Sequence, residues 1–167
     1  MKVIICGAGQ VGFGIAERLS AQKHDVTVID SSSDLIANIS NNLDVRGIVG
    51  SGSFPDVLMQ GGASEADIIL AVTQADEVNM IICQVAHTLF NIPTKIARIR
   101  SSNYLQAEYS EIFSTDNIPI DVIISPEIEI GESILRNLML PGAFEIIQFG
   151  EKLISFIGVI LNNDCPE

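Results

Sequence analysis

A glycine-rich loop lies near the start of the chain, between a strand-like apolar run and a helix-like segment. Lys2–Cys6 is rich in β-branched residues, and the loop after it reads Gly7, Ala8, Gly9, Gln10, Val11 and Gly12, which fits G-x-G-x-x-G. In this setting the glycines permit a tight turn, close approach of the backbone to a pyrophosphate, and close packing of helix on strand. Free N–H groups and the positive dipole end of the helix face the phosphates. Residues 2–14 therefore predict a Rossmann-type unit that binds an adenine nucleotide, with NAD as the first expectation.

An acidic residue, Asp30, stands at the end of the second apolar run, at the spacing from the loop that dinucleotide-binding folds use. Its carboxylate is predicted to accept hydrogen bonds from the 2′- and 3′-hydroxyls of an adenosine ribose. A 2′-phosphate would be repelled, and Ser31, Ser32 and Ser33 supply no arginine to receive one, so NAD is expected over NADP. The alternative interpretation is that the glycines serve packing alone and that Asp30 caps a helix.

Short apolar runs alternate with helix-length amphipathic segments, a pattern typical of a parallel sheet covered on both faces. The expected fold class is α/β, a Rossmann-type doubly wound parallel six-stranded sheet. Its strands are predicted at 2–6, 25–29, 45–49, 67–72, 95–99 and 121–124. Helices are predicted at 11–22, 34–41, 54–60, 75–90, 103–113 and 127–140.

The pattern changes after Pro141 and Gly142. Phe144–Phe149, a turn at residues 150–151, and Leu153–Leu161 predict a hairpin outside the six-stranded unit. We therefore expect a nucleotide-binding domain over residues 1–140. A linker and hairpin over 141–167 follow, and we interpret them as the truncated start of a C-terminal domain.

A small-residue loop follows the third strand at the same carboxyl edge of the sheet as the glycine loop. It consists of Gly50, Ser51 and Gly52. Its small residues either let an adenine ring lie against the backbone or serve a plain turn, and the sequence leaves both open.

The loops after the fourth and fifth strands carry polar candidates. Thr73 and Gln74 lie beside the topological switch point, where doubly wound sheets bind ligands, and Thr73 with Asp76 also resembles a capped helix start. Arg98 and Arg100 end the fifth strand. Arg98 is interpreted as a phosphate contact more readily than Arg100, and a salt bridge with neighbouring acids is the alternative for both.

The composition excludes several functional classes. A net charge of −12 with nine Lys and Arg residues argues against nucleic-acid binding. No apolar run is long enough for a membrane span, and the chain opens on a strand rather than a signal peptide, which predicts a cytoplasmic location without membrane insertion. Cys6, Cys83 and Cys165 are widely spaced and form no C-x-x-C pattern, which indicates reduced thiols rather than disulfides or a zinc site.

No catalytic or metal-binding constellation accompanies the loop. Cys83 and His87 lie four apart on one predicted helix, but no further ligand completes a metal set, so core packing is expected. No G-x-S-x-G, H-E-x-x-H or P-loop motif is present. We expect a nucleotide sensor without catalytic residues. The alternatives are a fragment of an NAD-dependent oxidoreductase without its catalytic domain, and an interaction module whose glycine loop is vestigial.

Several motifs in order resemble the TrkA family. They are the Gly7–Gly12 loop with Asp30, the Val49–Gly52 loop, Ala71–Met80 and Ala97–Arg100. Members of that family are cytoplasmic, peripheral regulators of Trk-type potassium uptake systems, located at the inner face of the cell membrane and built on the KTN or RCK domain. The resemblance covers about residues 1 to 140.

The resemblance implies ligands, contacts and partners. NAD, NADH, ATP or ADP are expected at one site. The implied contacts run from Gly7 to Val11 and include Asp30, Gly50 to Gly52, Thr73, Gln74 and Arg98. A homodimer or larger ring beneath a membrane potassium transporter subunit is also implied.

The last predicted helix carries a broad apolar surface, formed by Ile128, Ile134, Leu135, Leu138 and Met139. One hypothesis is that a dimer partner shares this surface, and the other is that it packs on the protein's own sheet.

Overall fold

A six-stranded parallel sheet forms the centre of the first part of the chain, in the strand order β3-β2-β1-β4-β5-β6. Its strands are β1 (Lys2–Cys6), β2 (Asp25–Asp30), β3 (Arg46–Val49), β4 (Ile68–Ala71), β5 (Thr94–Arg98) and β6 (Val122–Ile124). All neighbouring strands run parallel. The order reverses between β1 and β4, which is the arrangement of a doubly wound nucleotide-binding sheet. The predicted fold class is confirmed.

The computed structural model describes residues 1–114, 116–126, 130–131, 134–135, 143–149 and 154–159. The chain divides into two compact units, Met1–Ile124 and Ser125–Glu167. In the second unit β7 (Ala143–Phe149) and β8 (Ile154–Val159) pair antiparallel, as the sequence predicted for a hairpin. The domain boundary expected at residue 140 stays a prediction.

Four α-helices connect the strands of the sheet. They are α1 (Gln10–Ala21), α2 (Ser33–Asn42), α3 (Pro55–Gln60) and α4 (Asp76–Phe90). The Ser32 hydroxyl caps α2 by accepting a hydrogen bond from the Leu35 N–H at 3.3 Å, and Pro55 occupies the first turn of α3, where a missing N–H costs nothing. Within the described ranges, none of the helices combines the length and apolar content that crossing a bilayer requires.

The helix predicted over 103–113 is wrong, because the structure has a 3₁₀-helix over Ala107–Phe113 instead. Only the ends of this segment pack on the core, through Tyr104, Leu105 and Phe113. Tyr109 between them is exposed. An α-helix needs a continuous apolar stripe to be held by packing, and this segment lacks one.

The helix predicted over 127–140 lies mostly outside the described residues, as do Ile128, Leu138 and Met139 of its predicted apolar surface. Ile134 and Leu135 are helical and exposed. The dimer hypothesis for this surface stays a prediction.

The strands are buried on both faces, so one strand serves two cores. Val3 and Ile5 of β1 face the core beneath α1 and α2, while Ile4 and Cys6 face the core beneath α3 and α4. This alternation follows from the two-residue period of a strand. It explains why the parallel strands read as continuous apolar runs in the sequence.

The free thiols of Cys6 and Cys83 are buried in the core beneath α4. Burial raises the pKa of Cys83 to about 12 and raises the pKa of Cys6 as well. Both thiols are therefore protonated and unreactive at neutral pH. Cys165 lies outside the described residues.

A buried lysine joins the starts of β5 and β6. The Lys95 ammonium lies 2.8 Å from Asp121 Oδ2 and donates to the backbone carbonyls of Ile92 and Pro93, both at 3.2 Å. The Lys95 N–H donates to the same carboxylate oxygen at 2.6 Å. Burial of an ammonium is costly unless its donors are paired, and here each donor of Lys95 has an acceptor.

Two glycines on α1 give opposite expectations for substitution by alanine. A Cβ at Gly12 would lie 1.8 Å from the Gly7 carbonyl oxygen, whereas a Cβ at Gly14 meets nothing within 4 Å. We expect Gly12→Ala to lower the free energy of unfolding by about 3 kcal/mol through overpacking. Gly14→Ala should raise it by about 0.5–1 kcal/mol through helix propensity. Urea unfolding measures both, and a similar effect at the two sites would contradict the close approach.

The Lys95–Asp121 pair predicts a pH dependence of stability. Burial alone raises the pKa of Asp121, but the hydrogen bonds and charge of Lys95 outweigh it and leave this pKa below its usual value. The carboxylate therefore stabilises the fold above the pKa of the unfolded chain, about 3.9, and this contribution is lost as the pH falls through the lower folded pKa. In urea unfolding, Asp121→Asn should be destabilised relative to wild type at neutral pH, with the difference shrinking in acid. The exposed Asp116→Asn is the control, and a pH-independent difference for Asp121→Asn would count against the pair.

Candidate nucleotide-binding site

A cleft of about 600 Å³ opens at the carboxyl ends of the strands, around the switch point between β1 and β4. Its lining comes from the loops after β1, β2, β3 and β4 and from the end of β5. This is the place where ligands bind to doubly wound sheets. The sheet topology therefore brings together loops that are far apart in sequence.

Most of the residues proposed from the sequence meet in this cleft. Those that line it are Gly7, Gly9, Gln10, Val11, Asp30, Gly50, Ser51, Gly52, Thr73, Gln74 and Arg98. Ala8 and Gly12 do not line it; the Ala8 N–H donates to Asp30, and Gly12 packs on the Gly7 carbonyl. The sequence therefore located the cleft correctly, while the binding roles of these residues stay predictions.

The glycine loop is fixed by two close approaches. Gly7 has φ +114°, a left-handed conformation, and a Cβ there would lie 2.9 Å from the Val72 carbonyl group. Gly12 packs on the Gly7 carbonyl. Gly9, by contrast, has open space where a side chain would project. The loop is therefore tightly packed at Gly7 and Gly12, whereas its backbone at Gly9 is open to the cleft.

The start of α1 directs backbone donors at the cleft. The Phe13 N–H donates to the Gly9 carbonyl at 2.8 Å and begins the helical hydrogen-bond ladder. The N–H groups of Gln10, Val11 and Gly12 precede that bond and have no partner within the helix. Together with the positive end of the helix dipole, they make this terminus suited to an anion.

The Asp30 carboxylate joins the glycine loop to the segment before α2 by hydrogen bonds. One carboxylate oxygen accepts the Ala8 N–H at 2.7 Å, and the other accepts the Ser32 N–H at 2.8 Å. Asp30 therefore does not cap α2, which uses the Ser32 hydroxyl instead. Its carboxylate is half-buried and still lines the cleft, with acceptor capacity left for further donors.

The loop after β3 packs closely on its neighbours. The Gly50 N–H donates to the Asp30 carbonyl at 2.8 Å, which extends the β2–β3 pairing by one bond. A Cβ at Gly52 would lie 2.6 Å from the Cys6 sulfur. A side chain at position 52 would therefore clash with the core. The loop presents its backbone to the cleft, and the turn and adenine interpretations remain compatible.

The loop after β4 is held by a residue that sequence reasoning missed. Asn79 is fully buried, and its Oδ1 accepts hydrogen bonds from the Thr73 N–H at 2.9 Å and the Thr73 hydroxyl at 2.7 Å. Its Nδ2 donates to the Arg98 carbonyl at 2.8 Å. The polar groups of Thr73 are thus directed at Asn79. A polar side chain among the buried apolar positions of α4 was the signal that could have identified it.

The capped helix start predicted from Thr73 and Asp76 is wrong. Ala75 is the N-cap of α4 and offers no side-chain hydrogen bond. The buried Asp76 carboxylate instead accepts the Arg100 N–H at 3.0 and 3.1 Å and the Ser101 N–H at 2.8 Å. Backbone N–H groups distant in sequence therefore satisfy this carboxylate, rather than the N–H groups at the start of α4. Residue spacing alone does not predict such a contact.

The two arginines after β5 have different surroundings. Arg98 is half-buried and lines the cleft. Arg100 donates from Nη2 to the Gln74 carbonyl, and its Nε lies 3.9 Å from Asp76 Oδ1. The salt-bridge interpretation therefore holds for Arg100. Arg98 remains the candidate phosphate contact.

Apolar side chains complete the cleft on both sides of the glycine loop. Ile29 and Leu35 lie on the side of Asp30, and Val72 and Val78 lie on the side of Thr73. Ser31 and Ala75 also line it. Ile29, Leu35, Val72 and Val78 were not predicted as contacts, because apolar positions beside strand ends also fit the core.

Comparisons with known proteins agree on the family. A model of the TrkA-N domain matches residues 3–126. The Trk system potassium uptake protein TrkA of Azorhizobium caulinodans is 55% identical over 166 residues, which cover 99% of this chain and 36% of that protein. The chain spans about a third of the length of the curated relatives it matches.

Solved structures share the fold. The TrkA-N domain of the inner membrane protein ybaL from Escherichia coli has a TM-score of 0.70 at 19% identity, over 82% of this chain and 96% of that one. The GsuK channel bound to NAD has a TM-score of 0.68 at 16% identity, over 90% and 25% of the two chains. GsuK bound to ADP has a TM-score of 0.60 at 17% identity, over 74% and 31%.

The matched segment contains the glycine loop, Asp30 and every other residue that lines the cleft. The resemblance seen in the motifs is thereby confirmed. This chain belongs to the TrkA-N domain family.

Proposed function

We propose that this chain is the nucleotide-binding regulatory domain of a potassium uptake system and that its ligand is NAD, NADH or an adenine nucleotide such as ATP or ADP. One observation carries the proposal: the Asp30 carboxylate lies beside the exposed amino terminus of α1 in a single cleft. A ribose acceptor beside an anion-binding helix terminus is the arrangement that an adenosine phosphate requires.

In this proposal, each part of the ligand occupies a different part of the cleft. Adenosine would lie over β2 and β3, with its ribose hydroxyls on Asp30 and its base near Leu35 and the Gly50–Gly52 loop. The phosphates would lie at the N–H groups of Gln10 and Val11. The remainder of the ligand would extend over β4 and β5, toward Arg98.

The electrostatics favour ligands without a 2′-phosphate. Asp30 carries the negative charge at the ribose, and Ser31 next to it brings no cation to the cleft. NADP would therefore place two anions together, which costs binding energy. GsuK, which shares the fold, has been solved with NAD and with ADP, and this supports a common adenosine site.

The regulatory role rests on the family and on a simple thermodynamic argument. A ligand that binds two states of an assembly with different affinities shifts their populations, and a coupling of about 1 to 3 kcal/mol is enough for a switch. In this proposal a homodimer or larger ring of the full-length protein acts on a membrane potassium transporter subunit from the cytoplasmic face. Residues 1–140 form its nucleotide domain, and it performs no catalysis itself.

Removal of the Asp30 charge tests the ribose assignment. We expect Asp30→Asn to weaken NAD and ATP binding about tenfold or more in calorimetry, because charge-assisted hydrogen bonds to the ribose are lost. Asp34→Asn removes the same charge from an exposed position on α2 and is the matched control. Unchanged affinity in Asp30→Asn would refute the assignment.

Two further readouts separate the functional alternatives. In the full-length protein, rubidium uptake through the transporter should respond to nucleotide in the wild type and lose that response in Asp30→Asn. NADH absorbance should stay constant with simple carbonyl compounds. Steady NADH oxidation would favour an oxidoreductase fragment instead, and a wild-type chain that no nucleotide stabilises against heat would favour a vestigial loop.

The open space at Gly9 predicts a variant that folds but does not bind. Gly9 has an ordinary φ of −67°, and a Cβ there meets nothing in the protein. Gly9→Ala should therefore unfold like the wild type while a methyl group occupies the path of the phosphates. We expect at least a tenfold loss of NAD affinity, since the anion can no longer reach the N–H groups closely. Gly14→Ala, on the same helix, should bind normally, and normal binding by Gly9→Ala would show that phosphates do not approach this loop.

A further inference from the structure

One buried side chain joins the two walls of the far half of the cleft. Asn79 is 0% exposed, and its amide forms hydrogen bonds with the N–H and hydroxyl of Thr73 and with the Arg98 carbonyl. Its Nδ2 also lies 3.4 Å from the Thr73 carbonyl oxygen. Thr73 follows β4, and Arg98 ends β5. The amide therefore fixes these two strand ends to each other.

This half of the cleft lies away from the adenosine position. The strands β2, β1, β4 and β5 are neighbours in that order. With about 4.8 Å between strands, β5 lies about 14 Å from β2, where Asp30 holds the ribose. AMP would fill the β2 side and reach the glycine loop. A dinucleotide would continue over β4 and β5, past Thr73 and Arg98.

We propose that Asn79 is a positioning residue for the part of the ligand that extends beyond AMP, a role that rests on the proposed nucleotide function. It sets the Thr73 loop and Arg98 at the separation that this part of a dinucleotide needs. The cleft thereby distinguishes NAD from AMP, although both share the adenosine site. Asn79 does this without touching the ligand, because the cleft is lined by its neighbours rather than by Asn79 itself.

A second group of contacts holds the same wall from outside. Asp76 accepts N–H groups from Arg100 and Ser101, and the Arg100 guanidinium donates back to the Gln74 carbonyl. The first turn of α4 is thus hydrogen-bonded to the chain after β5, which in turn is hydrogen-bonded to the loop before α4. Both Asp76 and Asn79 are buried polar groups whose partners lie in these two segments rather than in the core. This concentration of polar bonds indicates that the position of the wall is specified, and not only its packing.

Ligand affinity ratios test the proposal. Asn79→Asp keeps the acceptors for Thr73 but replaces the donor to the Arg98 carbonyl with a repelling oxygen. We expect its NAD affinity to fall about tenfold in calorimetry while its AMP affinity stays within about twofold of wild type. Ala86→Gly, at a buried position about two turns further along α4, provides a control that weakens the same helix away from the cleft.

A second pair of variants keeps the test decisive if Asn79→Asp folds poorly. Thr73→Val removes the hydroxyl that donates to Asn79, whereas Thr73→Ser retains it. The ratio of NAD to AMP affinity should fall in Thr73→Val and be restored in Thr73→Ser. Equal losses for NAD and AMP, or the same ratio in Ala86→Gly as in Asn79→Asp, would show a purely structural role and overturn the proposal. A wild-type chain that binds neither ligand would overturn the proposed function, which is a distinct result.

Discussion

The contact between Gly12 and the Gly7 carbonyl is the constraint on which the site depends. No residue with a side chain fits where α1 crosses the end of β1, since a Cβ would lie 1.8 Å from that oxygen. The helix can therefore begin directly at the sheet edge, at the switch point of the strand order. Its first N–H groups then lie at the cleft. A longer connection would move the positive end of the helix away from the cleft, where the loops after β1, β2, β3 and β4 meet.

Asp30 links that constraint to the ligand. Its two oxygens already accept N–H groups from the glycine loop and from the start of α2, so the carboxylate is oriented before any ligand arrives. An ionised carboxylate has about four acceptor sites, which leaves room for ribose hydroxyls. In the proposed function, the same side chain therefore shapes the loop and would accept the ribose hydroxyls. Preorganisation of this kind lowers the entropic cost of binding.

Local patterns made much of this structure predictable. Apolar runs predicted all six strands of the sheet, and the glycine motif with Asp30 located the cleft, because both depend on short-range periodicity and spacing. The predictions failed where contacts with segments distant in sequence determine the local structure. Asp76 pairs with backbone at residues 100 and 101 instead of capping α4, and the segment ending at Phe113 forms a 3₁₀-helix because only its ends reach the core. Asn79 was missed for the same reason, since its partners are 6 and 19 residues away.

The two halves of the cleft are built by different means, and this difference bears on regulation. Near β2 and β3 the walls are held by a main-chain bond at Gly50, by close packing at Gly52 and by the Asp30 carboxylate. Near β4 and β5 the walls are held by side chains from one helical turn, at Asp76 and Asn79. A fully satisfied network of buried polar side chains fixes one arrangement, and a change at one member alters the position of the others. In the proposed function, ligands that share an adenosine but differ beyond it would therefore differ in their contacts with the wall that Asp76 and Asn79 hold, and a switch would distinguish them there.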